Sequence, residues 1–191
     1  ALCPLDGRYG GRLGALRSVM SEAAFAACRV RVECTWFKLL ADLKLPRFNP
    51  LSAQESRLLA CASTLTEQDL DLIRALEFDG YQQIPPTKHD VKALEYFLRL
   101  KFKNTSLKDR LDWLHFALTS EDVNSAAYAL LLADGLEKVL LPALEKLHKE
   151  LVKLARKEAR SVLLARTHGQ PAVPTTFGKE VRVFESRLAR Q

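Results

Sequence analysis

The stretch Thr167-His168-Gly169-Gln170-Pro171 sets a titratable ring beside a glycine and a proline. Imidazole is the side chain that titrates nearest neutral pH, so a histidine held here can give or accept a proton under ordinary conditions. Gly169 lets the backbone come close to a ligand and Pro171 stiffens the chain. The spacing therefore predicts a rigid loop between a long helix and a second helix starting at Thr176. Two readings fit His168: a proton donor or acceptor, or a plain turn residue.

Three further clusters could bind an anion. Thr87-Lys88-His89-Asp90 follows Pro85-Pro86 and opens a helical pattern that runs to about Phe102, with Thr87 as the expected cap and Asp90 in the first turn. Free N–H groups and the positive end of the helix dipole favour an anion there, and Lys88 and His89 add donors. Asp90 either orients His89 or serves the cap. Thr119-Ser120-Glu121-Asp122-Val123-Asn124 reads equally as an ordinary helix start or as a cradle in which Thr119 and Ser120 hold a carboxylate. In the Gly- and Pro-rich arm over 1–17, Arg8 and Tyr9 pair a forked cation with a phenol, suited to phosphate or carboxylate, or simply decorate the surface. His115 is expected to be packed and His148 to lie on the surface.

Helices must position these groups. Phe25, Cys28, Val32, Trp36 and Leu39 recur at helical spacing from Ser21 to a break at Pro46. Ser52 with Glu55 and Thr66 with Asp69 have capping-box spacing and predict two shorter helices ending near Ala62 and Gly80. Ser106 with Asp109 opens a short helix carrying Leu107, Leu111 and Leu114 inward. A long helix follows with Val123, Ala127, Leu130 and Leu131 inside, a kink at Pro142, and a bundle seam of Leu144, Leu147, Leu151 and Leu154. Phe177, Val181, Phe184 and Leu188 form a stripe still running at Gln191, which reads as a truncated chain. The fold class expected from these periods is all-α.

Composition narrows the partners. With 191 residues, 48% of them hydrophobic and 27% charged, the chain can bury one good core. Its net charge of +6 suits anionic partners, but basic and acidic residues alternate along stretches such as Lys146 to Lys157. That marks a solvated helix face and argues against nucleic acid. No apolar run approaches the roughly 20 residues that cross a bilayer, so no membrane partner is expected and the cytoplasm is the default compartment. Cys3, Cys28, Cys34 and Cys61 form no Cys-x-x-Cys pair and read as reduced thiols, mostly in the core.

Four segments together resemble the adenylosuccinate lyase family of the fumarase/aspartase superfamily: Pro4-Leu5-Asp6-Gly7-Arg8-Tyr9-Gly10, His89-Asp90-Val91-Lys92-Ala93-Leu94-Glu95-Tyr96-Phe97, His115-Phe116-Ala117-Leu118-Thr119-Ser120-Glu121-Asp122-Val123-Asn124 and Arg166-Thr167-His168-Gly169-Gln170-Pro171. The resemblance implies that Arg8 and Tyr9 bind a nucleotide substrate, that Lys88, His89 and Asp90 line its phosphate end, and that Thr119 and Ser120 hold a succinyl carboxylate. His168 would be the general acid that protonates the departing nitrogen as fumarate forms. Lys88 departs from the asparagine expected in the most similar subgroup of the family. The family's general base is a serine in a Ser-, Met-, Pro-, Lys- and Asn-rich loop that this sequence lacks, so the chain would be an N-terminal portion. It would comprise a small helical domain over 1–108 and the beginning of a central long-helix bundle over 109–191. Members are homotetramers and need neither metal nor organic cofactor. Another superfamily lyase, such as argininosuccinate lyase, and a non-enzymatic helical interaction module are the alternatives.

Overall fold

The computed structural model describes every residue except Ala1, Lys44, Pro46 and Arg47. It is mostly helical and carries one small two-stranded sheet. Two compact units divide it, Ala1–Gly135 and Leu136–Gln191.

In the first unit a 3-10 turn, Gly10–Arg12, leads into helices α1 (Gly14–Met20), α2 (Glu22–Asp42), α3 (Ala53–Cys61), α4 (Glu67–Phe78), α5 (Asp90–Phe102) and α6 (Ser120–Gly135). Ser21 caps α2 by accepting the Ala24 N–H at 3.2 Å. The expected capping boxes of α3 and α4 are both present, each with side chain and backbone bonded reciprocally. α2 ends at Asp42; the break expected at Pro46 lies outside the described residues. Its buried face is Ala26, Val30, Cys34, Phe37 and Ala41, rotated from the expected stripe, and Leu39 is exposed. Apolar residues occur nearly all round this helix, so helical period alone does not fix which face turns inward. That face packs with Leu59, Leu76, Leu94, Phe97, Leu98 and Phe102 into the core of the unit.

The short helix expected after Ser106 is 3-10, Lys108–Trp113. Leu107 and Leu114 at its two ends are buried as expected. Cys34 is buried and Cys28 half-buried, whereas Cys3 and Cys61 are exposed, so the thiols are less internal than composition suggests.

The second unit begins with a π-helical turn, Leu136–Leu140, followed by α7 (Leu141–Lys157). Pro142, in the first turn of α7, lacks an N–H and its ring crowds the carbonyl four residues back. The widened turn Leu136–Leu140 just before it is a geometry that accommodates such a proline. Strands β1 (Val162–Thr167) and β2 (Gln170–Thr176) then pair antiparallel, and α8 (Phe177–Leu188) follows with Thr176 as its cap. α8 packs on α7 so closely that a side chain at Gly178 would press on the Ala155 carbonyl and the Ala159 backbone. Of the two expected seams, Leu147 and Leu154 on α7 and Phe177 and Phe184 on α8 remain exposed. His148 is not a free surface residue: its Nε2 lies 2.6 Å from Oε1 of the buried Glu185 on α8, whose other oxygen pairs with Arg182.

Candidate functional site

The ring of His89 is spoken for on both sides. Its backbone is extended and its Nδ1 accepts the Lys92 N–H at 3.3 Å, so His89, not Thr87, is the N-cap of α5. Thr87 instead braces the approach, donating from Oγ1 to the His89 carbonyl at 3.0 Å. An Nδ1 that accepts leaves the proton of a neutral ring on Nε2. That atom lies 3.1 Å from Ser120 Oγ, 31 residues along the chain.

Asp90 does not orient His89. Its Oδ2 pairs with Arg29 Nη2 at 2.5 Å, its Oδ1 accepts the Val91 N–H at 2.8 Å, and His89 Nδ1 stands 3.6 Å away. Partial burial opposes the Asp90 charge, but the Val91 N–H and the Arg29 guanidinium outweigh it and hold the carboxyl below the ordinary range. Glu77 close by is pushed the other way, by burial first and then by the Asp90 charge. Lys88 is exposed with φ +51°, and its N–H donates to the Glu77 carbonyl at 2.9 Å. A cavity of about 410 Å³ opens between α7 and α8, but the one beside this site is larger, about 940 Å³. It is lined by Arg29, Glu77, Lys88, His89, Asp90 and Tyr128 among others.

Thr119 and Ser120 divide the labour at the start of α6. Thr119 forms a capping box with Asp122, whose carboxylate accepts both the Thr119 N–H and its hydroxyl at 2.7 Å. The Thr119 N–H leads the contacts that hold Asp122 below its ordinary pKa. Ser120 is thus the hydroxyl turned toward His89. The segment just before is held by α2: the His115 N–H donates to Glu33 Oε2 at 3.2 Å, the His115 ring meets Oε1 at 2.5 Å, and Trp36 Nε1 donates to the Phe116 carbonyl at 2.8 Å. Glu33 is fully buried, and burial raises its carboxyl pKa against the lowering effect of His115. His115 and Ala117 both take positive φ, +58° and +59°, so this approach to α6 is a backbone that only outside contacts would keep.

Arg8 and Tyr9 sit on the N-terminal arm, both exposed, with the Arg8 guanidinium 5.7 Å from the Tyr9 ring centre. Asp6 organises the arm by accepting the Leu2 and Cys3 N–H groups at 2.9 and 2.8 Å.

His168 belongs to the second unit and occupies a hairpin rather than an interhelical loop. Thr167 pairs with Gln170, leaving His168 and Gly169 as a two-residue turn with φ +51° and +76°. Positive φ at both central residues is what a type I′ turn requires. Nothing lies within 4 Å of a Cβ placed on Gly169, so dihedral angle and not crowding selects glycine there. Pro171 lies in β2, opposite Arg166, and Ala165 faces two residues of β2 across a bulge. Proline is tolerated because each strand of a two-stranded ribbon is an edge.

Among the described residues no cluster of three or more His, Cys, Asp or Glu has the geometry to hold a metal ion. No helix among them is long and apolar enough to cross a membrane.

Residues 52–191 match the family described as Lyase. The chain belongs to the lyase family. Over its whole length this lyase chain is 40% identical to the adenylosuccinate lyase of Haemophilus influenzae, and 38% identical to those of Legionella pneumophila and Escherichia coli K12. It spans about 41% of the length of these relatives. In fold it is similar to a fumarate lyase from Mesorhizobium sp. BNC1, with TM-score 0.69 and 23% identity over 92% of this chain and 37% of that one. A 3-carboxy-cis,cis-muconate lactonizing enzyme from Pseudomonas putida aligns with TM-score 0.68 and 22% identity, over the same shares.

Sequence reasoning missed three contributors to the cluster around His89 and Ser120. Arg29, Glu33 and Trp36 lie on α2, read above only as a core helix, yet all three bond to residues of the recognised segments. One signal was available: Arg29 and Glu33 are charges at i and i+4 beside Val30 and Cys34, which places them at the edge of an inward face.

Proposed function

We propose that this chain is the N-terminal part of an adenylosuccinate lyase, which eliminates fumarate from adenylosuccinate and from the related succinylated carboxamide nucleotide. The contact between His89 Nε2 and Ser120 Oγ carries the reading, since it joins two distant segments of the resemblance at one point beside a large cavity. Their association with the sequence likeness to adenylosuccinate lyases supports a built substrate site. Ser120 and the amides at the start of α6 would hold a succinyl carboxylate. Lys88, with the Arg8–Tyr9 pair, would serve the nucleotide.

The elimination needs a base and an acid. A base removes the proton on the carbon next to the departing bond, the electron pair forms the double bond of fumarate, and the carbon–nitrogen bond breaks. His168, protonated, gives its proton to the leaving nitrogen. The base would come from a segment outside these 191 residues. The division after Lys108, a homotetrameric assembly, a role in purine synthesis and a cytoplasmic location belong to the same proposal. The exposed Leu140, Leu147 and Leu154, seven residues apart on one helical face, support further helices packing there.

The test is fumarate release from adenylosuccinate by the full-length polypeptide, with argininosuccinate in parallel. Turnover on the order of 10 per second is expected with the first substrate alone, and none from the 191-residue chain. Preference for argininosuccinate would overturn the reading.

A further inference from the structure

Arg29 joins the two helix starts that make the site. Its Nε donates to Asn124 Oδ1 at 2.8 Å and its Nη2 to Asp90 Oδ2 at 2.5 Å. Asp90 follows His89 directly, and Asn124 stands one helical turn beyond Ser120. The guanidinium is itself fixed: it lies 4.0 Å from the Phe25 ring centre, and Phe25 stacks on Tyr128 of α6 at 4.3 Å. Only 13% of the Arg29 side chain is exposed.

We infer that Arg29 is a positioning residue, whose two-pronged grip on Asp90 and Asn124 sets the spacing at which His89 Nε2–H meets Ser120 Oγ. Because His89 Nδ1 accepts the Lys92 N–H, the ring donates through Nε2 and Ser120 accepts. The Ser120 hydrogen is then free to donate outward. Under the lyase reading, on which this step rests, it donates to the substrate carboxylate. A planar fork is needed because the two acceptors belong to different helices; a lysine could neutralise Asp90 but not hold both. Loss of Arg29 would also remove the guanidinium that offsets the repulsion between Asp90 and Glu77.

The experiment replaces Arg29 in the full-length enzyme and reads kcat/KM beside the 15N signals of the His89 ring in the same protein. Arg29→Ala should lower kcat/KM on the order of 10²-fold, the scale of a misplaced catalytic geometry, and should weaken the Nε2–H preference of His89. Ethylguanidinium added to this variant should restore part of the rate, which a purely structural loss would not allow. Arg29→Lys should remain impaired. Should Arg29→Ala fail to fold, Asn124→Ala decides, since alanine suits its helix and one hydrogen bond is removed; a smaller loss in the same direction is expected. Unchanged kcat/KM in Arg29→Lys or Asn124→Ala, or a lost rate with unchanged His89 signals, overturns the inference. If the wild-type enzyme releases no fumarate, the lyase reading fails while the His89 signals still judge Arg29.

Discussion

The helix-start site of the first unit and the His168 hairpin of the second are built on opposite principles. Around His89 and Ser120 the groups are tied across elements, by α2 through Arg29, Glu33 and Trp36, and across sequence separations of 31 to 95 residues. The hairpin is held by its own ladder and a local bond from Arg166 to the Gly169 carbonyl at 3.5 Å, with His168 exposed. Orientation of a ligand needs the first arrangement, because hydrogen bonds discriminate only when their geometry is fixed. A proton-transfer group needs a defined backbone and a free ring, and a two-residue turn supplies both. Asparagine followed by glycine is the favoured pair for such a turn. Histidine is tolerated at positive φ but is not the best choice there, so the turn alone does not account for His168.

The comparison breaks most sharply at the hairpin. His168→Asn keeps a residue suited to positive φ and removes the proposed acid, so kcat of the full-length enzyme should fall about 10²–10⁴-fold. KM should change far less, and the melting temperature should stay level or rise. Near-normal turnover would return His168 to the status of a turn residue.

Glu33→Ala attacks the other region. It leaves the His115 ring and N–H without their buried acceptor beside two positive-φ residues, and breaking such a buried pair typically removes about 3–5 kcal/mol. Urea unfolding should show a loss of that order, with activity of the remaining folded enzyme better preserved than in His168→Asn. A change under about 1 kcal/mol would mean that Glu33 is not the brace for the approach to α6.

These two substitutions also mark what the sequence could and could not reveal. Local signals were readable: Ser52 and Thr66 announced their helices because a capping box is completed within four residues. The hairpin was hidden because His-Gly is an unusual turn pair and because Pro171 and Pro174 argue against a strand unless the strand is known to be an edge. The cap of α5 passed from Thr87 to His89 because a ring nitrogen can accept the same N–H as a hydroxyl, a substitution that spacing does not distinguish. Arg29 and Glu33 could be placed by spacing at the edge of an inward face, but their partners could not be read. Their partners lie 61 to 95 residues away, and such pairings exist only once the helices have packed.

The smallest expected effect is at Lys88, and it separates backbone from charge within the first region. Lys88 holds φ +51° with its N–H bonded to the Glu77 carbonyl, while its ammonium is exposed. Asparagine populates this region of backbone space more readily than lysine does. Lys88→Asn should therefore stabilise the fold slightly, by roughly 0.5 kcal/mol, through relief of part of the strain assigned to such positions. An exposed cation gives little binding energy, about 0–1 kcal/mol when paired at a surface, so KM should rise by less than about fivefold. Both readouts come from one variant, by thermal melting and steady-state kinetics. A larger rise in KM, with stability unchanged, would show that the ammonium and not the backbone is what this position contributes to the proposed phosphate end of the site.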